Sequence, residues 1–406
     1  ADVPETVLIT GSLIRGAPAV GVPVTSLRTV DFAETGALTT AELFKTIPAA
    51  LVAPIAGGQV GPNNIERSGR VNLRGIDTGS APRGLLMVDG IRVAPTGSGQ
   101  CAIDPSIIPA IALERIDVLV DGASATYGAD AVSGVINIIL KRNYDGAIAR
   151  ASYTRAEGGK NRYMASALWG RTWDGGSVVL SYEWYDNSPI MANTRSKATV
   201  DYTPWGLDNR IPIGSSMPGT ISSGGASPNI GTGCTNCYAI PSGTGSPFDP
   251  GAVGIGPTTP FSGSTLNWAT FNVPENRGTN GTRNIVDPWS HAWLDAAQQR
   301  NAATVTVDQR LTPNISFYGT GFYSNRRSQY LNQANVFPFR ADLLSVAVPT
   351  FNPYYPTGGA PTNLRANYSL TFEMPPVTSA FEISGRYMGG LNIALPRGWQ
   401  ADIYYS

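Results

Sequence analysis

The sequence predicts a mixed α+β domain followed by antiparallel strands of a transmembrane β-barrel. Three observations carry that prediction. Residues 1 to about 143 alternate short β-rich runs with turns bounded by Gly or Asp, whereas later residues fall into long segments with every second residue apolar. Connections in the second part are short on one side and very long on the other, the pattern of an outer-membrane barrel. Composition agrees, because 46 Gly and 31 Pro in 406 residues signal many turns, while 42% hydrophobic residues is too many for a disordered chain.

In the first part, "ALTTAELFKTIP" has helical spacing, with Thr39 or Thr40 as cap, Glu42 in the first turn and Pro48 as stop. "RVNLRGI", "GLLMVDGIRV", "ERIDVLVDG" and "SGVINIILKR" read as short strands, and "PSIIPAIAL" as a helix interrupted by Pro109. Two Gly-rich stretches, 53 to 69 and 94 to 105, separate them. In the second part, Ala147, Ala149, Ala151 and Tyr153 share one face, opposite Arg150, Ser152 and Thr154. Val178, Leu180, Tyr182 and Trp184 alternate with Ser177, Ser181 and Glu183, and Ala303, Val305 and Val307 alternate with Thr304, Thr306 and Asp308. Trp399, Ala401, Ile403 and Tyr405 repeat the pattern, while "NISFYGTGFYS" reads as a strand with ambiguous faces.

Charge excludes a nucleic-acid binder: Lys plus Arg equals Asp plus Glu at 29 each. No stretch reaches the roughly 18 apolar residues of a membrane-spanning helix, whereas a barrel strand needs only about 10 alternating residues. The start, "ADVPETVLIT", reads as a mature terminus left by signal removal, with a cytosolic start as the alternative. Cys234 and Cys237 lie in a Gly- and Thr-rich loop and read as a local disulfide of an oxidising compartment, with metal or redox use as the alternative; Cys101 is left odd.

The stretch "VLVDGASATYGADAVSGVINIILKR" (118–142) looks catalytic but fails each test. Ser124 lacks the second Gly of a nucleophile elbow, no Gly-Lys-Ser/Thr follows for a phosphate, and the Ser124–Tyr127 pair has no nearby Lys. The single His leaves little for acid–base work, so no enzyme, cofactor or metal is expected. Gly122, Gly128 and Gly134 instead supply turns with positive φ.

Four ordered segments, "ETVLITGSLIRG", "VNLRGI", "LLMVDGIRV" and "LERIDVLVDGASATYGADAVSGVINIILKR", resemble the plug domain of TonB-dependent outer-membrane receptors. The resemblance implies a periplasmic TonB-box segment over 1–15, a plug over 16–143, and the amino-terminal portion of a barrel over 144–406. Long extracellular loops are expected near 188–301 and 326–372. It further implies active import of a scarce nutrient (metal chelate, cobalamin or oligosaccharide) across the outer membrane of a Gram-negative bacterium. The partners implied are a TonB-type energy-coupling protein, outer-membrane lipid and a small-molecule or glycan ligand.

Glu5, Thr6, Val7, Leu8, Ile9 and Thr10 resemble the TonB box, an extended segment able to add a strand to a partner's sheet edge; an ordinary first plug strand is the alternative. Arg74 and Arg115, with Glu114, resemble plug residues that pair with the barrel. Asp89-Gly90 reads as a tight turn and not a ligand site. Ligand contacts are expected from Gln59, Asn63, Asn64 and Arg67 in the first Gly-rich stretch, and from Arg92, Thr96 and Gln100 around the second. The pattern supplies about seven strands where the family's barrel has about 22. The sequence is therefore expected to be a portion of a transporter, completed by further residues or by a second chain. The alternative function is a non-transporting plug-barrel subunit or surface scaffold.

Overall fold

In the computed structural model, the described residues are 24–28, 31, 34–35, 37, 39–52, 71–74, 84–94, 104–121, 124–199, 201–207, 220–223, 237–239, 287, 293–331, 345–347, 349–351, 363–367 and 377–406. Seven short strands come first: β1 (Val24–Arg28), β2 (Ala50–Val52), β3 (Val71–Leu73), β4 (Gly84–Val88), β5 (Ile91–Arg92), β6 (Leu113–Leu119) and β7 (Gly134–Leu140). Five of them form a mixed sheet in the order β1-β6-β7-β4-β5, and β2 pairs with β3. The run "GVINIIL" is apolar on both faces because β7 is the central strand, antiparallel to β6 and parallel to β4. Val118, Ile136 and Ile138 are fully excluded from solvent.

The expected helix at "ALTTAELFKTIP" is a single α-turn, Thr40–Leu43, continued by a 3-10 turn, Phe44–Thr46. Thr39 caps it, its Oγ1 accepting from Glu42 N at 3.3 Å. Pro109 divides "PSIIPAIAL" into two 3-10 turns, Pro105–Ile107 and Ala110–Ala112, as an interior proline must. Leu43, Phe44, Ile107 and Ile108 enter the plug core from these turns.

Then come β8 (Gly146–Ala156), β9 (Lys160–Trp173), β10 (Gly176–Asn187), β11 (Ile190–Met191), β12 (Thr220–Ser223), β13 (Cys237–Ala239), β14 (Trp293–Asp295), β15 (Ala297–Thr312), β16 (Ile315–Leu331), β17 (Ser345–Ala347), β18 (Leu364–Asn367), β19 (Val377–Ala394) and β20 (Gln400–Tyr405). Seven of these make one sheet in the order β20-β19-β16-β15-β10-β9-β8, a meander with antiparallel neighbours throughout its registered pairs. The strand number matches the expectation, but three strands run further than expected. β15 starts at Ala297, inside the span anticipated as loop; β16 continues to Leu331, and β19 begins at Val377. In β19, Phe381 and Ile383 alternate with Glu382 and Ser384, and the charged and small residues hide a period-2 pattern from a search for hydrophobic runs.

The apolar face of this sheet is the exposed one. Phe381, Ile383 and Tyr387 are about two-thirds exposed, with Trp169, Leu180, Tyr182 and Tyr323 on the same outer surface. The ambiguity of "NISFYGTGFYS" resolves with Thr320, Phe322 and Ser324 buried and Tyr323 outward. No helix among the described residues is long and apolar enough to cross a membrane, and crossing by strands is a separate matter. The long connections form their own compact unit, in which β12 pairs with both β13 and β18, and β18 with β17.

Two glycines answer close approaches. A Cβ on Gly134, at φ +135°, would stand 2.4 Å from Leu119 O and 2.7 Å from Leu73 Cδ1. One on Gly170 would stand 2.3 Å from Tyr144 O, where the chain leaving the plug crosses β9.

Candidate functional site: the interface between plug and wall

The inward face of the strand sheet is polar and meets the first domain through buried charges. Alternation dictates this: once the apolar residues of β9, β10, β15, β16 and β19 face outward, Arg162, Glu183, Arg300, Arg326 and Glu382 must face inward. Arg326 is the most enclosed. Its guanidinium, 4% exposed, pairs with Asp104 of the plug and with Glu382 of β19. Asp104 is fully buried and held in place from its own side, because its Oδ1 accepts from Ser106 N (2.8 Å) and Ser106 Oγ (2.5 Å). One carboxylate thus caps the Pro105–Ile107 turn and binds the wall.

Next to it, Arg300 pairs with Glu183 in full burial, and Glu183 Oε2 accepts a hydrogen bond from Ala110 N of the plug at 3.0 Å. Arg300 also lies 5.5 Å over the Tyr185 ring. The two arginines are direct cross-strand partners, Arg300 opposite Arg326. Between these ionic contacts, Ile111 packs with Leu168 and Val179 of the wall, and Phe322 of β16 joins the plug core. Apolar contact and charge pairing therefore fasten the same plug segment, 104–112.

Two more contacts lie to either side. Arg162 of β9 pairs with Glu42 of the first plug helix and reaches Tyr185 OH at 3.3 Å. Arg386 of β19 donates to the carbonyls of Ile91 and Arg92 at 3.1 and 3.3 Å.

A fourth node sits where plug becomes barrel. Asp89 and Gly90 form the expected tight turn, with φ of 50° and 78°, and Val88 pairs with Ile91 across it. The turn does more than reverse the chain. Asp89 Oδ1 accepts from Leu140 N at 3.0 Å, and Oδ2 accepts from Arg142 at 2.9 Å. Arg142 Nη1 also lies 2.9 Å from each oxygen of Asp308 in β15. Burial opposes charge on the Arg142 guanidinium, but Asp89 and Asp308 outweigh it and hold its pKa above the ordinary arginine value. Beside it, burial draws the Lys141 pKa below that of a free lysine, with Glu114 acting in the opposite sense.

Several of the residues anticipated from sequence have contacts within the first domain. Arg74 donates to Asp121 at 3.2 Å and Arg115 to Asp117 at 3.3 Å, both contacts lying inside the plug; Glu114 is exposed on β6. Arg92 is half-exposed and pairs with Asp130 at 2.6 Å. Glu5 to Thr10, Gln59, Asn63, Asn64, Arg67, Thr96, Gln100, Cys101, Cys234 and Gly122 lie outside the described residues, as does the side chain of Cys237. Ser124 and Tyr127 bound a single helical turn, and Tyr127 contributes its carbonyl to Arg92. The plug–wall contacts were missed because alternation marks a residue such as Glu183 or Asp308 as inward without naming its partner. Asp104 carried a usable signal, since Asp-Pro-Ser is a capping sequence.

A small mixed sheet seated against the polar face of an antiparallel meander defines a plug-and-barrel protein. Residues 19–135 match the family model described as the TonB-dependent Receptor Plug Domain, and a sheet of long antiparallel strands follows that domain in the chain. Solved structures similar to it include the ferric enterobactin receptor PfeA in complex with BCV-L6, at 13% identity and TM-score 0.47, covering 94% of this chain and 40% of that one. The siderophore receptor PirA from Acinetobacter baumannii matches at 14% identity and TM-score 0.38, covering 94% and 46%. The ferric-catecholate import receptor Fiu from E. coli K12 matches at 14% and 0.40, covering 94% and 48%. The chain thus spans less than half the length of each of these receptors.

Proposed function

We propose that the protein is a TonB-dependent importer in the outer membrane, in which an energy-coupling partner pulls on residues 5–10 and shifts the plug against its wall. The observation that carries the reading is the Asp104–Arg326–Glu382 contact, which fastens the plug to the inner face of the strand sheet. A buried charge that loses its partner is costly, so such contacts keep a gate shut until work is done on it. The plug family match supports a receptor and transporter role over catalysis. The similar structures are receptors for ferric enterobactin, siderophores and ferric catecholates, so iron chelates are the first substrates to try.

The test identifies the small molecule retained by the native protein through native mass spectrometry, then follows its energised uptake with and without residues 5–10. Uptake is expected to vanish on deletion while binding persists. Unchanged uptake would contradict the reading and point to a scaffold role.

A further inference from the structure

The wall presents a row of guanidiniums to the plug, and their partners belong to two different bodies. Arg162, Arg300, Arg326 and Arg386 come from β9, β15, β16 and β19. Arg162, Arg300 and Arg326 pair with Glu183 and Glu382 of the wall and with Glu42 and Asp104 of the plug, and Arg386 donates to the plug carbonyls of Ile91 and Arg92. With the plug seated, four cations stand among four carboxylates. If the plug leaves, two carboxylates leave with it and the row carries an excess of positive charge. Arg142, which leads into the strands, is shared between Asp89 of the plug and Asp308 of β15, so it stays neutralised by Asp308 when Asp89 leaves with the plug, and Lys160–Asp295 is a neutral pair of the strands.

Two further observations indicate what such a row would receive. Like charges directly opposite each other weaken a sheet, yet Arg300 and Arg326 are cross-strand partners. In addition, Nε and Nη1 of Arg300 meet no hydrogen-bond acceptor, although the side chain is 1% exposed. These are unspent donors on two edges of a guanidinium, a group suited to carboxylate or phosphate oxygens.

We propose that this row is a transit site for anionic oxygens, and that the imported molecule carries carboxylate or phosphate groups. Asp104 and Glu42 occupy the places of those groups while the gate is closed. The inference rests on the importer reading in requiring that the plug moves. It adds a substrate class to that reading.

The experiment records the full-length protein in planar bilayers across a KCl gradient, with urea on the plug side to displace the plug. Neither substrate nor energy-coupling partner is needed. The open pore is expected to favour chloride over potassium by about threefold, as charged rings do in pores. Arg162→Gln with Arg386→Gln should bring that ratio close to one. Should the double variant fail to insert, Arg386→Gln alone, whose partners among the described residues are carbonyls and the Met388 sulfur, should give part of the same drop. Asp104→Asn should leave the open-pore ratio unchanged, since Asp104 departs with the plug. Citrate slowing the chloride current more than phosphate would assign the carboxylate source, and the reverse the phosphate source. A pore without anion preference, or a preference untouched by the arginine variants, would overturn the inference and leave the importer reading intact. A protein that never conducts would overturn both.

Discussion

The plug core and the strand sheet use the same residue types in opposite places. In the plug, Val118, Ile136 and Ile138 are inside and Arg74 and Asp121 are outside. In the sheet, Phe381, Ile383 and Tyr387 are outside, while Arg300, Glu183 and Arg326 are among the most enclosed side chains. Each arrangement answers the medium that the element faces: water around a small domain, hydrocarbon around a barrel wall. A consequence is that, among the described residues, the most enclosed ion pairs hold plug to wall, whereas the plug's own Arg74–Asp121 and Arg92–Asp130 pairs are solvated and weak.

Breaking the enclosed side of that comparison should have the largest effect. Arg326→Ala strands Asp104 and Glu382 without their guanidinium and should cost about 3–5 kcal/mol, the range for removing one partner of a buried pair. The loss would appear as a lower urea midpoint for plug release. On the outer face, Ile383→Arg places a charge in lipid and should cost about 2–4 kcal/mol near the bilayer midplane, read as loss of folded protein in a bilayer refolding titration. The smallest change belongs to Arg74→Ala. Its side chain is 40% exposed and its partner Asp121 74%, so the change should be below about 1 kcal/mol in the same urea titration. A large effect at Arg74 with none at Arg326 would invert the comparison.

Much of the fold was legible in the sequence because periodicity is a local property. "GVINIIL" declares a strand buried on both faces, Pro109 breaks its helix, and Val178 to Trp184 alternates cleanly. The strand limits were less legible where Glu382, Ser384 and Arg386 occupy inward positions, since charge on an inner wall looks like loop composition. The plug–wall site was hardly legible at all. Its pairs join residues far apart in sequence, 222 positions for Asp104 and Arg326, and no local pattern specifies such a partner. Arg74 and Arg115 attracted notice through their motifs, whereas the closures at Arg326 and Arg142 depend on strand register.

The most direct test of this account is a double-mutant cycle on plug release, measured by urea titration of conductance with Asp104→Asn, Arg326→Gln and the two combined. The account predicts a coupling of roughly 1–3 kcal/mol, the double variant being far less impaired than the sum of the single ones. Effects that add to within about 0.5 kcal/mol would mean that the two residues do not hold plug to wall, and would contradict it.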